Sequence, residues 1–121
     1  MQNNKINLKE KFSLFSKYWA PHIIAEMNDH QFKLVKFKGE FIWHEHKYSD
    51  ETFIVVEGKM EIKFNDKIVN LSEGEMFVVK KGVIHKTVSE NECRIMIIEA
   101  KGVVNTGESG GSLTAPNDVW I

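Results

Sequence analysis

Three features are scarce in this sequence, and each scarcity excludes a class of site or partner. Cys93 is the only cysteine, so no internal disulfide can form and a metal site built on thiolates is excluded. Arg94 is the only arginine, and charges of both signs alternate along the chain, so no basic stripe is present to bind nucleic acid. Long apolar runs are also missing, which excludes a membrane-spanning helix of about 20 residues.

The remaining composition is that of an ordinary globular domain. Of the 121 residues, 42% are apolar and 27% are charged, and the net charge is −1. A chain of this length favours one hydrophobic core, so we expect residues 1–121 to form a single domain. The polar N-terminus shows no secretory signal, and we therefore expect a cytoplasmic protein.

Short strands dominate the pattern, and one helix precedes them. Asn7 is a suitable N-cap for a helix over residues 8–16, whose apolar side chains share one face. After Pro21, short segments rich in Ile, Val, Phe and Met are interrupted by turn signals, which predicts an antiparallel all-β sandwich or barrel. The candidate strands are residues 22–26, 32–38, 41–46, 52–57, 60–64, 68–71, 76–79, 85–89 and 94–99.

The strands differ in how their apolar residues are distributed between the two faces. Residues 59–64 alternate charged and apolar side chains, which places Met60, Ile62 and Phe64 in the core. Residues 53–56 and 95–98 are instead apolar on both faces. We therefore expect another subunit to cover part of the outer surface, and we predict a homodimer.

Four polar residues stand where such strands would bring them together. His44 and His46 are two apart in the predicted strand 41–46, so both imidazoles project from one face. Glu51 opens the next strand, and His85 follows a later turn. A single inward histidine is more often a hydrogen-bonded core residue than a ligand. Together, however, three histidines and a carboxylate in an apolar barrel would leave costly unpaired polar groups unless they bind a metal.

The spacing of these residues resembles the two conserved motifs of the cupin superfamily. The first motif consists of a glycine, a His-x-His pair, a glutamate and a closing glycine, here Gly39, His44, His46, Glu51 and Gly58. The second consists of a glycine, a turn and a histidine, here Gly74, Gly82 and His85. Lys80 replaces the usual proline of the second motif and Ser89 replaces its usual asparagine, but neither position is a metal ligand in cupins.

The resemblance implies a double-stranded β-helix, or jelly-roll barrel, with a short N-terminal helical segment. Residues 1–30 would form an arm and the first strand, residues 31–100 the metal-binding barrel core, and residues 101–121 a C-terminal tail. It also implies one divalent transition metal ion per chain, either Fe, Mn, Ni, Co, Cu or Zn. The implied ligands are His44, His46, Glu51 and His85.

Two functions fit such a barrel. The first is a metal-dependent enzyme that acts on a small oxygen-rich substrate by dioxygenase, isomerase or lyase chemistry. An octahedral ion with four protein ligands would leave two positions for this substrate, whereas a closed tetrahedral site would leave none. The second function is a binding module that holds a metal or small ligand without catalysis.

Several residues near the motifs have alternative interpretations. Arg94 could face inward and bind a substrate carboxylate, but an outward ion pair with a glutamate is the expected arrangement. Asp50 could orient a metal ligand, although a structural role in its turn is expected. Trp43 lies with Phe41 on the strand face opposite the histidines. We interpret Trp43 and Trp19 as packing residues and not as a platform for a ligand.

The remaining predictions concern residues outside the motifs. His22 and His30 match neither motif and are expected at the surface. Cys93 lies in an apolar run and is expected in the core, without a reactive role. After Ala100 the chain becomes rich in Gly and Ser, so residues 101–121 are expected to be irregular and held at their aromatic end.

Overall fold

The computed structural model describes residues 4–121, and within them it contains one short helix and seven strands. No helix in this part of the chain has the length and apolarity needed to cross a membrane. The elements are α1 (Leu8–Phe12), β1 (His22–Met27), β2 (His30–Glu40), β3 (Glu51–Glu57), β4 (Lys59–Lys63), β5 (Ile68–Ser72), β6 (Met76–Val79) and β7 (Lys86–Ala100).

Helix α1 begins as predicted and ends earlier. Oδ1 of Asn7 accepts a hydrogen bond from the backbone N–H of Glu10 at 3.0 Å, which confirms Asn7 as the N-cap. The helix ends at Phe12, not at residue 16, because Ser13 closes it. The hydroxyl of Ser13 donates to the carbonyl of Glu10 at 2.6 Å and satisfies an oxygen of the last turn.

The strands wrap into an antiparallel barrel around β7, the longest of them. β7 pairs with β2, β3 and β4, and the main pairing order is β1-β2-β7-β3-β6. β5 joins the barrel through β4. This all-β arrangement is the jelly-roll barrel with a short N-terminal helix that the sequence predicts.

Alternate residues of the strands fill the barrel interior. In β3, β4 and most of β7, every second side chain is buried. Met60 and Ile62 are buried, as the alternation in β4 predicts. Cys93 is fully buried in this core, which confirms its predicted location. Burial raises the pKa of its thiol to about 12.

A second apolar cluster lies between the barrel and helix α1. Its centre is formed by Phe12, Ile24 and Leu34, and Val56 and Met96 of the doubly apolar strands pack against it. Part of the outer surface that we expected a second subunit to cover is therefore covered by the chain's own N-terminal helix. The homodimer stays a prediction, and it must rest on other parts of the surface.

The prediction of a strand over residues 41–46 is wrong. Only His44 forms a bridge, in which it exchanges backbone hydrogen bonds of 3.0 and 2.9 Å with His85. The other backbone groups of the segment go to different partners, since Phe41 N–H donates to Thr87 and the His46 carbonyl accepts from Gly82. The segment is therefore a connection that several parts of the chain hold in place.

Two predicted breaks do not interrupt their strands. The two strands predicted over 85–89 and 94–99 are one continuous strand, β7, which begins at Lys86, and Asn91 lies within it. Gly39 likewise lies within β2, where its φ of +88° accompanies a shift of register against β7. Both signals thus mark an irregularity of pairing and not a strand end.

The C-terminal tail is irregular and held at its end, as predicted. Trp120 forms a parallel bridge with Ile23 of β1, and Ile121 N–H donates to the Ile23 carbonyl at 3.1 Å. Nζ of Lys11 donates to the carbonyl of Ile121 at 2.8 Å. The end of the tail is thereby fixed to both β1 and helix α1.

Candidate metal centre

The structure brings together the four residues that the motifs single out. The side chains of His44, His46, Glu51 and His85 are all buried, and one nitrogen or oxygen of each lies within 4.8 Å of the others. The ring centroids of His44 and His46 are 4.9 Å apart, although their segment is not a strand. The group is therefore assembled as expected, but by a different local structure.

Three parts of the fold position these side chains. His44 and His46 come from the connection between β2 and β3, Glu51 is the first residue of β3, and His85 directly precedes β7. The bridge between His44 and His85 joins two of these parts through their backbones. Gly82 N–H adds a hydrogen bond of 2.8 Å to the carbonyl of His46.

Hydrogen bonds fix how two of the imidazoles face the site. Nδ1 of His44 lies 2.9 Å from the carbonyl oxygen of Ile42, and Nδ1 of His85 lies 2.9 Å from that of Val83. Because a carbonyl can only accept, Nδ1 carries the proton in both rings. Nε2 is therefore the ring nitrogen that faces the site, and in a neutral imidazole it carries the lone pair that binds metal.

The carboxylate of Glu51 lies close to Nε2 of both His46 and His85. Its Oε1 is 3.3 Å from Nε2 of His85 and 3.4 Å from Nε2 of His46. Burial alone would raise the pKa of Glu51, but the two imidazoles outweigh burial and hold the pKa well below its usual range. Nε2 of His46 is buried and makes no hydrogen bond within residues 4–121.

The electrostatics of the group suit a cation. Burial, and next the neighbouring His85, lower the pKa of His44 to about 4, so this imidazole is neutral near pH 7. A neutral imidazole, an ionised carboxylate and an unpaired ring nitrogen together form the donor set of a divalent transition metal. These residues fit such an ion better than they fit a closed hydrogen-bond network.

A cavity of about 40 Å³ adjoins the group, and His44 and Glu51 are among its lining residues. Its walls are mostly apolar and include Trp19, whose ring stacks on Phe41 with centroids 4.9 Å apart. Trp19 thus packs as predicted, but it also lines the cavity. The orientation predicted for Phe41 is wrong, because its ring lines the cavity and meets His44 edge-on at 5.1 Å.

Sequence reasoning missed two charged residues inside the barrel, Lys33 and Glu99. Nζ of Lys33 donates to Oε2 of Glu99 at 2.7 Å, and both side chains are almost completely buried. Burial, followed by the charge of Glu51, raises the pKa of Glu99 well above its usual value despite Lys33. The alternation of the strands could have revealed both residues. Lys33 is two residues from the inward Val35, and Glu99 is two residues from the inward Ile97, so each faces the same side as its neighbour.

Two other candidates take the structural role that we expected. Arg94 points outward, and its Nε donates to Oε2 of Glu92 at 2.8 Å. Asp50 belongs to the turn, where its Oδ1 accepts a hydrogen bond of 2.9 Å from Lys81 N–H. Neither side chain lines the cavity beside the four-residue group.

The predictions for the remaining residues have mixed outcomes. Trp43 is on the outside, where Nζ of Lys86 lies 5.2 Å from its ring centroid. His30 is exposed, as predicted. His22 is not a surface residue, because its ring stacks on Phe15 at 4.0 Å and is half-buried.

Comparison with known sequences and structures gives consistent results. A family model for the cupin domain matches residues 30–99. The uncharacterized protein YdbB of Bacillus subtilis (strain 168) is 42% identical over 83 residues, which are 68% of this chain and 67% of YdbB. A cupin-2 domain containing protein from Shewanella frigidimarina NCIMB 400 is 58% identical in its crystal structure. The match has a TM-score of 0.77 and covers 78% of this chain and 93% of that one.

Two further solved structures are similar. Protein NMB1881 from Neisseria meningitidis is 42% identical with a TM-score of 0.74, over 80% of this chain and 99% of that one. KdgF from Halomonas sp. is 26% identical with a TM-score of 0.60, over 66% of this chain and 76% of that one.

Proposed function

This chain belongs to the cupin family, and on that premise we propose that it binds one divalent transition metal ion and acts on a small oxygen-rich substrate. The proposed ligands are His44, His46, Glu51 and His85. The observation that carries the proposal is that their four ligand atoms lie within 4.8 Å of one another in a buried group. The unpaired Nε2 of His46 supports it, since a buried polar atom without a partner is costly.

The ion would be Fe, Mn, Ni, Co, Cu or Zn, all of which accept imidazole and carboxylate ligands. When bound, it would supply Lewis acidity that polarises an oxygen of the substrate. The chain's own contribution is to hold the donors and to exclude water. Trp19, Phe41 and Phe53 line the cavity with apolar surface, which strengthens electrostatic interactions inside it.

The cavity adjoins the group on the side of His44 and Glu51. A substrate bound there would reach coordination positions that four protein ligands leave open on an octahedral ion. This supports an enzyme with dioxygenase, isomerase or lyase chemistry over a structural metal site. A non-catalytic binding module remains the alternative outcome of the experiments below.

Elemental analysis of purified protein tests the metal site. We expect about one ion per chain in the wild type and a loss of most of it in His46→Ala, because removing one of four ligands weakens chelation. His30→Ala is the matched control, since His30 is exposed and outside the group. Equal metal content in the wild type and in His46→Ala would show that the ion, if any, lies elsewhere.

Catalysis is tested on the metal-loaded protein. The Fe, Mn, Ni and Zn forms are screened against diketones, catechols, uronates and sugar phosphates, while product formation and oxygen uptake are recorded. Turnover that is lost in His46→Ala would support the enzyme. Saturable binding without turnover in every form would instead favour the binding module.

A further inference from the structure

The barrel contains a second buried polar group, the ion pair of Lys33 and Glu99. Nζ of Lys33 donates to Oε2 of Glu99 at 2.7 Å and to the carbonyl oxygen of Val103 at 3.1 Å. The side chains of Lys33 and Glu99 are 0% and 3% exposed. Because desolvation offsets most of the attraction in such a pair, apolar residues of similar size would stabilise the barrel as well. Stability alone therefore does not account for the pair.

Glu99 links this pair to the candidate metal centre. Glu51 and Glu99 are direct partners across β3 and β7, and both line the same cavity. Directly opposed residues of antiparallel strands have Cβ atoms about 4.5–5.5 Å apart, so the two side chains lie next to each other in this cavity. Oε1 of Glu99 is buried and makes no hydrogen bond within residues 4–121. Oε1 of Glu51 faces His46 and His85, which leaves its other oxygen free for Glu99.

We propose that the Lys33–Glu99 pair positions the carboxylate of Glu51 for metal binding. Glu99 is then a positioning residue and not a fifth ligand. Lys33 is held by the Val103 carbonyl and fixes Glu99, and Glu99 limits rotation of the Glu51 side chain. This inference rests on the proposed metal site, and it adds two residues that the cupin motifs do not contain.

The geometry predicts how substitutions at Glu99 differ. In Glu99→Gln the amide can still accept from Lys33 and donate to Glu51, so positioning is retained. In Glu99→Leu both contacts are lost while the volume of the side chain is nearly kept. Thr87→Val is the matched control, because Thr87 is a buried polar residue of the same cavity that contacts neither Lys33 nor Glu99 by a hydrogen bond within residues 4–121.

Co(II) titration of the metal-stripped full chain measures the effect. Partners that orient a metal ligand typically contribute about 10- to 100-fold in affinity, and we expect a loss of that size in Glu99→Leu together with a changed visible spectrum. We expect Glu99→Gln and Thr87→Val to stay within about threefold of the wild type and to keep its spectrum. Near-UV circular dichroism of each metal-free variant shows whether it is folded.

Each outcome decides between distinct alternatives. A folded Glu99→Leu variant with wild-type Co(II) affinity and spectrum would overturn the positioning role and leave the proposed metal site intact. A wild type that binds no Co(II) would overturn the proposed function and this inference with it. If Glu99→Leu does not fold, the combined variant Lys33→Met with Glu99→Gln, which carries no buried charge at the pair, replaces it. Weakened Co(II) binding in that variant supports the role, and unchanged binding overturns it.

Discussion

Gly107 of the C-terminal tail lies directly against the connection that carries two of the proposed ligands. A Cβ at this position would overlap the carbonyl oxygen of Glu45 and lie 3.6 Å from Nδ1 of His46. Gly110 has a similar backbone conformation, with φ of +66° against +60°, but a Cβ there would meet nothing within 4 Å. Comparing a substitution at Gly107 with the same substitution at Gly110 therefore separates the effect of backbone strain from the effect of close contact.

We predict that Gly107→Ala weakens metal binding and that Gly110→Ala does not. Both variants strain a left-handed residue, at a cost of about 1 kcal/mol. Only Gly107→Ala must displace Glu45 and His46, and ligand atoms displaced by more than about 0.2 Å leave the range of good coordination. Competition with a chelator should show at least a tenfold loss in Gly107→Ala, as an order-of-magnitude estimate. Equal affinities in both variants would contradict the contact.

His44 should make the stability of the metal-free protein depend on pH. Its pKa is about 4 in the folded state, below the usual 6.5, so the unfolded chain binds more protons between these values. The free energy of unfolding therefore has its full value above pH 6.5 and decreases by up to about 3 kcal/mol as the pH falls toward 4.

Denaturant unfolding of the wild type and of His44→Asn at pH 7 and at pH 4 measures this contribution. His44→Asn has no imidazole at this position, so its free energy of unfolding lacks this pH dependence. The difference in free energy of unfolding between the wild type and His44→Asn should therefore become smaller at pH 4. His30→Asn, at an exposed position, serves as the control. A gap that does not change with pH would show that His44 is not the group responsible.

Residues differ in how well the sequence predicts their roles. The four proposed ligands are predictable because they lie within one stretch of the chain, at distances along the sequence that resemble those of the cupin motifs. Lys33 and Glu99 are separated by 66 residues, and their contact depends on the pairing of β2 with β7. Alternation shows that both face inward, but the register that makes them partners is not visible in the sequence.

Helix α1 is five residues long, too short to be stable by itself, so the outer cluster must hold it. Phe12 is 2% exposed at the centre of that cluster, whereas Leu14, just beyond the helix, is 63% exposed. We predict that Phe12→Ala lowers the free energy of unfolding by about 3–5 kcal/mol, the usual cost of a cavity of this size.

Leu14→Ala should change the free energy of unfolding by less than about 0.5 kcal/mol. Denaturant unfolding of the two variants beside the wild type gives the comparison. Similar effects of both substitutions would mean that α1 does not contribute to the stability of the barrel.

At the scale of elements, the sequence predicts strands well where turn residues bound them on both sides. β3, β4, β5 and β6 all lie within one residue of their predicted bounds. Residues 41–46 have the composition of a strand, yet their backbone groups find separate partners. The composition of a segment indicates whether its side chains are buried. A strand also requires a neighbouring strand that pairs with it along its length, and this depends on the rest of the fold.

The whole molecule leaves an apolar surface beside β6. β6 pairs only with β3 among the described strands, so one of its edges is free. Met76 and Val78 on its outer face are 54% and 36% exposed, and Val83 and Ile84 nearby are 40% and 46% exposed. A surface of this kind with an unpaired strand edge favours association.

We predict a homodimer, with twice the chain mass of 14.0 kDa in light scattering. Val78→Lys should shift the protein toward the monomer, because a charge on the outer face of β6 is costly to bury. Leu14→Lys is the control, since Leu14 is exposed and follows helix α1 in the chain. A wild type that is monomeric at every concentration would refute the prediction.

The central position of β7 also sets the timing of folding. A ribosome delivers β1 to β6 first, and until β7 follows, β2, β3 and β4 lack a shared partner. Local hairpins such as β4 with β5 can form early, but the barrel can close only after residue 100 is made. The nascent chain therefore passes through a period with open strand edges, during which it can pair with other chains. The yield of folded protein should depend on how quickly translation completes β7.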